Sequence, residues 1–238
     1  MLAARRTDRL QALASEIERA GRHALVVACD VTADGDLEHA VARARDRFGR
    51  LDVAVANAGF GVVGPVASLG LADYRRQLET NVFGVLRTIY ATLPDLKKAR
   101  GRLVILGSVS GWVATPGSSP YAMSKFAVRG LAEALGHEVA RDGVAVTLIS
   151  PGFVDSEIRR VDNDGRFRET EPEPIPAWLV VPTDRAARAI VRAVARRRRE
   201  AVITGHGRVV VFLQRHTPWL VAWVIRRFGV RSRSEPKR

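Results

Sequence analysis

The sequence predicts an α/β fold in which helices wind over both faces of a parallel sheet. Three observations carry this. Short apolar runs, mostly β-branched, recur along the chain; they do not alternate with polar residues; and helix-like segments separate them. A strand covered on both faces reads as a continuous apolar run, whereas a strand with one wet face alternates. Strand alternating with helix is the pattern of a doubly wound sheet.

The elements follow in chain order. Asp8 to Ala20 reads as a helix. Ala24 to Ala28 and Val53 to Ala56 are the next apolar runs, with the helix Asp36 to Phe48 between them. A helix over Ala72 to Leu93, a strand over Leu103 to Leu106, a helix over Tyr121 to Arg141 and a strand over Val144 to Ile149 come next. Glu157 to Pro182 holds Asp162-Asn-Asp-Gly165 and a proline-rich acidic run, and reads as a long charged loop, either a lid or a plain surface insertion. The helix Asp184 to Arg199 and a weaker apolar run, Ala201 to Thr204, close the domain. Beyond it, Thr217 suits an N-cap, Pro218 a first helical turn and Gly229 a stop, so a short C-terminal helix is expected. Residues 1–206 thus form one domain and 207–238 a basic, amphipathic extension.

Composition bounds the function classes. The 238 residues are 47% hydrophobic, enough for a substantial core. The lone Cys29 excludes an internal disulfide, and five scattered histidines without paired cysteines show no metal-ligand spacing. Met1 is followed by Arg5-Arg6 with no apolar signal core after them, and no apolar stretch nears the roughly 18 residues of a spanning helix. A cytoplasmic protein, at most peripheral at a membrane, is the expectation. The net charge of +13 is local: residues 1–176 hold 23 Lys+Arg against 22 Asp+Glu, residues 177–238 hold 15 against 3. A basic domain surface for nucleic acid is not expected; a basic tail is.

The chemistry centres on Tyr121-Ala-Met-Ser-Lys125. Residues four apart share a helix face, so the Lys125 ammonium can sit beside the Tyr121 hydroxyl, favour phenolate and lower the tyrosine pKa. Alone this pattern is common. Its context is not: Ser108 in Gly107-Ser-Val-Ser-Gly111 ends a strand thirteen residues upstream, Asn57-Ala-Gly59 ends another, and Pro151-Gly-Phe-Val-Asp-Ser156 follows a third. Ligands bind at such carboxyl ends in open parallel sheets. Asn81 stands mid-helix, where asparagine is a mediocre helix former.

In this order and spacing the motifs resemble the short-chain dehydrogenase/reductase family, from the first residue to about Thr204. The resemblance implies a Rossmann-type sheet, a catalytic tetrad of Asn81, Ser108, Tyr121 and Lys125, and hydride transfer between a nicotinamide cofactor and an alcohol or carbonyl carbon. Tyr121 would exchange a proton with the substrate oxygen, Ser108 would hydrogen-bond that oxygen, Lys125 would lower the tyrosine pKa and hold the nicotinamide ribose, and Asn81 would anchor a proton-relaying water chain. Asp30 and Val31 would meet the adenine, Asn57, Ala58 and Gly59 would flank the adenosine ribose, and Pro151, Gly152, Val154 and Ser156 would line the nicotinamide. Where NAD-specific members carry an acid at the end of the second strand, this chain has Ala4 followed by Arg5 and Arg6. Guanidinium groups suit a 2′-phosphate, so NADP is expected over NAD. A homo-oligomer is the family's habit.

Two features depart from the family pattern. Gly59-Phe-Gly61-Val-Val-Gly64 matches G-x-G-x-x-G, but Pro65 follows and helical periodicity starts only near Leu71, so it reads as a loop beside the site and not a phosphate cradle. The family's T-G-x-x-x-G-x-G turn has no counterpart in the 238 residues, and the chain opens at what should be the second strand. The expectation is an N-terminally truncated sheet, its first βα unit missing between two unpaired apolar edges. Either this start is internal to a longer protein, or the short chain is a non-catalytic relic or binding module unable to hold the cofactor. The C-terminal extension admits three readings: packing against the domain or a subunit, contact with a membrane surface, or, least supported, nucleic acid. Its apolar character points to a hydrophobic substrate.

Overall fold

The computed structural model describes residues 1–166 and 175–228, and two parallel sheets organise them. The first holds β1 (Leu2–Ala4) beside β2 (Val26–Ala28). The second has the order β3 (Val53–Ala56), β4 (Arg102–Leu106), β5 (Ala145–Ser150), β6 (Glu200–Val202). All five pairings around these strands are parallel or, at Val154 and Val181, a parallel bridge. Among the described residues no ladder joins β1 to β3.

Helices cover the sheets as the sequence predicts. α1 (Thr7–Arg19) and α2 (Asp36–Phe48) flank the first sheet; α4 (Gly84–Ala99) and α5 (Ser119–Glu138) cover one face of the second, and α6 (Thr183–Ala195) the other. The main core lies under α4 and α5, where Ala54, Ala56, Leu103, Ile105, Val146 and Leu148 of the strands meet Val85, Ile89, Leu96, Val128 and Leu135 of the helices. The opposite face is smaller, Val104 and Ile149 against Ala193 and Ile190. It stops short of β3, where Val53 and Val55 are 41% and 53% exposed. The small sheet attaches through α2, α4 and the loop after β2: Ala91 joins the cluster of Val27, Cys29, Leu37 and Ala40, and Arg45 pairs with Asp95 at 3.5 Å. Gly84 is required there, because a Cβ would lie 2.7 Å from the Val31 side chain.

Three local departures matter. The helix expected over Ala72 to Leu93 is interrupted: α3 (Leu71–Leu78) passes through a π-helical turn, Glu79–Phe83, into α4. Val209 to Leu213 lies inside a helix, α7 (Gly205–His216), so the boundary expected at 206/207 falls within its first turn. Gly207 lets that turn sit against the domain, since a Cβ would meet Val109 at 2.8 Å and the Thr204 hydroxyl at 2.5 Å. α8 (Pro218–Phe228) follows with Pro218 in its first position as expected. The Thr217 hydroxyl turns back to donate to the Leu213 carbonyl at 3.0 Å instead of capping α8, and its own carbonyl accepts from Leu220 N–H at 3.0 Å. The Gly229 stop, and the centre of the loop expected over Glu157 to Pro182, lie outside the described residues.

Candidate active site

Most of the residues that the sequence nominates follow the carboxyl ends of strands, and Asn81, Tyr121 and Lys125 come from helices. Arg5 and Arg6 follow β1, Asp30 and Val31 follow β2, Asn57 to Gly59 follow β3, Ser108 follows β4, and Pro151 to Ser156 follow β5. Parallel strands put these ends on one side, which is why separated motifs converge.

The centre is α5 against the turn after β4. Lys125 is buried, and its ammonium donates to the Leu106 carbonyl at 2.8 Å. Its Nζ lies 5.6 Å from the centre of the Tyr121 ring. The Ser108 side chain faces the Tyr121 phenol, and its Oγ accepts from Ser110 N–H at 3.1 Å. Close approach here depends on Gly111, where a Cβ would lie 2.7 Å from the Lys125 carbonyl oxygen. Gly61 passes on the other side, with a built Cβ 3.6 Å from the Tyr121 ring. The glycine-rich loop is therefore a wall of the site. Pro65 and a short 3-10 turn, Val66–Ser68, separate it from α3, as the sequence predicts.

The electrostatics differ from the sequence expectation in one respect. Burial raises the Tyr121 phenol above its ordinary value, with the Ser108 side chain pulling it part of the way back. The lowering expected from Lys125 is not seen, because the ammonium faces Leu106 and is itself pushed down to about 8 by burial. Desolvation is the largest cause for both groups.

Asn81 sits in the π-helical turn, an insertion that re-aims side chains and recurs at functional sites. Its amide is engaged on both sides. Oδ1 accepts from Phe60 N–H at 3.1 Å, while Nδ2 donates to the Phe60 carbonyl at 3.0 Å and to Ser124 Oγ at 3.1 Å. The Ser124 hydroxyl in turn donates to the Tyr121 carbonyl at 2.7 Å. Asn81 thus ties the loop after β3 to the Tyr121 helix.

Residues that the motif reading missed complete the frame. Buried Gln77, four before Asn81 on the same helical face, donates to the Phe60 carbonyl at 2.9 Å and accepts from Val62 N–H at 2.6 Å. That i, i+4 pair of amides was the available signal. Asn163 brackets Val63, accepting from its N–H at 2.9 Å and donating to its carbonyl at 2.8 Å, so the described start of the long loop lies over the glycine-rich wall. His206 of α7 accepts from Phe153 N–H at 3.0 Å through Nε2 and stacks on the Phe153 ring. Gly152 passes so close that a Cβ would lie 2.2 Å from that nitrogen. Val109 N–H donates to the Pro151 carbonyl at 2.8 Å, joining the loops after β4 and β5.

Toward β1 the site is charged. Asp30 accepts from the Thr32 N–H and hydroxyl, and Arg5 stands 3.9 Å away. Arg6 and Arg9 both pair with Glu157 from the loop after β5, holding its carboxyl below the ordinary range. Neither Arg5 nor Arg6 is buried. Among the described residues no cluster of His, Cys, Asp or Glu could hold a metal, and no helix is long and apolar enough to cross a membrane.

Comparison with known proteins agrees with this geometry. A family model described as short chain dehydrogenase matches residues 1–166. The chain is 32% identical over 250 residues to 11-beta-hydroxysteroid dehydrogenase A of Sesamum indicum, covering all of this chain and 70% of that one. It is 37% identical over 150 residues to the oxidoreductase UcpA of Salmonella typhimurium, with 62% of this chain and 57% of that one covered. Among solved structures, an alcohol dehydrogenase from Thermococcus sibiricus complexed with 5-hydroxy-NADP superposes with a TM-score of 0.73 at 26% identity, over 85% of this chain and 84% of the other. A short chain dehydrogenase/reductase from Burkholderia phymatum in complex with NAD shares the fold, with a TM-score of 0.79 at 22% identity over 92% of this chain and 85% of the other. The parallel α/β architecture, the strand-end motifs and these likenesses place the chain in the short-chain dehydrogenase family, a family of oxidoreductase enzymes.

Proposed function

We propose that the chain transfers hydride between NADP(H) and an alcohol/carbonyl pair, with Asn81, Ser108, Tyr121 and Lys125 as its working residues. The observation that carries this reading is the buried Lys125, held on the Leu106 carbonyl 5.6 Å from the Tyr121 ring, with Ser108 facing the phenol at the end of β4. A nicotinamide cofactor, when bound, supplies the hydride donor or acceptor. The residues present fit its two ends. The Lys125 ammonium has three donors and spends one on Leu106, which leaves donors suited to ribose hydroxyls. Arg5 and Arg6 suit a 2′-phosphate, Asp30 and Val31 an adenine, Asn57, Ala58 and Gly59 the adjoining ribose, and Pro151, Gly152, Val154 and Ser156 the nicotinamide face. The turn that would receive the pyrophosphate is not among these residues.

The chain's own part is proton management. With its pKa raised, Tyr121 holds its proton at neutral pH and is set to donate it to a carbonyl oxygen as the carbon gains hydride; the oxygen stays on that carbon as the alcohol hydroxyl, and a solvent proton restores the phenol. Ser108 orients that oxygen, and the Lys125 cation stabilises the transient phenolate. Asn81 acts by fixing the loop after β3 and the Tyr121 helix. Exposed Val63, Val66, Leu71 and Trp178 surround the glycine-rich wall and the loop after β5, which favours a hydrophobic substrate. Self-association, the family's habit, belongs to the same reading.

Oxidation of NADPH against a panel of carbonyl compounds tests it. Tyr121→Phe is expected to lose at least about a hundredfold in kcat while NADPH affinity, read by fluorescence, stays within a factor of two. Equal turnover by the parent and Tyr121→Phe would overturn the assignment.

A further inference from the structure

We propose that the α7–α8 hairpin is a docking surface for an anionic lipid bilayer. The reading is independent of the dehydrogenase chemistry and rests on how this hairpin is built. α8 has no buried residue, although its eleven positions, Pro-Trp-Leu-Val-Ala-Trp-Val-Ile-Arg-Arg-Phe, are nearly all apolar. Trp219 and Trp223, four apart on one helix face, are 70% and 53% exposed. Phe228 ends the same helix, exposed; Val209 and Phe212 are exposed on α7. An apolar surface of this size on an isolated chain marks an interaction site.

Charge selects the occupant. From Ala201 to Ser234 there is no aspartate or glutamate, and although Arg208 and Arg215 turn to Val202 and Glu200 of the domain, Arg226 and Arg227 stand exposed on α8 and Arg231 and Arg233 follow in the sequence. Arg226 lines one groove with Trp219, Leu220 and Trp223, so cation and aromatic side chains share a surface. Tryptophan beside arginine on a short amphipathic helix suits the headgroup layer, where rings sink to the acyl boundary and guanidinium groups meet lipid phosphates. A second copy fits less well, because α7 and α8 carry no carboxylate to meet Arg226 and Arg227 of the other copy. α8 is too short to span, so attachment is in the plane of the surface. α7 starts at the sheet edge that carries Ser108 and Pro151, with Gly207 against Val109, so a docked chain keeps its strand-end face near the lipid.

The full 238-residue chain is sedimented with vesicles of phosphatidylglycerol or of phosphatidylcholine, at low and high salt. Binding to phosphatidylglycerol, weakened by salt, is expected; tryptophan emission should shift to the blue and be quenched by brominated lipid. Trp219→Ser/Trp223→Ser and Arg226→Glu/Arg227→Glu, each confirmed as folded by circular dichroism, should each bind at least about tenfold more weakly. Failure of the unaltered chain to bind either vesicle overturns the proposal. So does undiminished vesicle binding by the tryptophan variant, which would leave only a polyanion contact. Conversion of a dimer to a monomer by the tryptophan variant, with vesicle binding unchanged, would assign the face to self-association instead.

Discussion

Replacing Asn81 with alanine removes three hydrogen bonds at once, and the structure sets the size of the effect. Phe60 N–H loses its Asn81 acceptor, the Phe60 carbonyl keeps Gln77 as a donor, and the Ser124 hydroxyl keeps its bond to the Tyr121 carbonyl. One orphaned backbone donor at about 1–3 kcal/mol and two replaceable bonds at about 0.5 kcal/mol each give roughly 2–4 kcal/mol. For a chain of this size, with about 2–4 °C per kcal/mol, thermal unfolding should fall by roughly 4–16 °C. Gln77→Ala shares the Phe60 carbonyl, so the double variant should depart from additivity by about 0.5 kcal/mol or more. Scanning calorimetry of the parent, both single variants and the double variant measures this. An Asn81→Ala midpoint within about 1 °C of the parent would refute the clamp and return Asn81 to a purely water-binding role.

Gly111→Ala should push α5 away from the turn after β4, costing about 1–3 kcal/mol of stability and cutting kcat further than the loss of folded protein accounts for; calorimetry beside single-turnover rates separates the two. Glu157→Gln removes the carboxylate that Arg6 shares with Arg9, an exposed pairing worth at most about 1 kcal/mol, so NADPH should bind up to about fivefold tighter with NADH unchanged, as fluorescence titration would show. Lys125, lowered to about 8 by burial, sheds its proton in the folded chain before the unfolded one does, so its contribution to stability rises as pH climbs from about 8 toward about 10.5. Urea unfolding across that window should show the rise in the parent and not in Lys125→Met.

The strands were legible because both of their faces are covered: Leu103 to Leu106 and Val144 to Ile149 are continuous apolar runs, and they lie at the middle of the second sheet. Tyr121 and Lys125 were legible because helical spacing alone puts them together. The π-helical turn at Glu79–Phe83 was not, since one inserted residue leaves the apolar periodicity of α3 and α4 almost unchanged. Nor was α7, whose run Val209 to Phe212 has the β-branched composition of a strand; packing of Gly207 and Val211 decides its state. The pairing of Lys125 with the Leu106 carbonyl depends on depth in the fold and has no sequence signal.

That β1 and β3 share no ladder among the described residues has a consequence for cooperativity. The segment from β1 through α2 is held to the remainder by side-chain packing on α4, by Gly84 against Val31 and by exposed ion pairs of Arg45, Arg87, Arg6 and Arg9, with no strand ladder between the two sheets among the described residues. Such a segment can open as one unit while β3 to β6 stay closed. Its amides are expected to exchange with solvent earlier than those of β4 and β5. The last residues to exchange would then be those beneath Ser108 and Pro151, leaving the proton-transfer half of the site standing after its charged, arginine-bearing half has come apart.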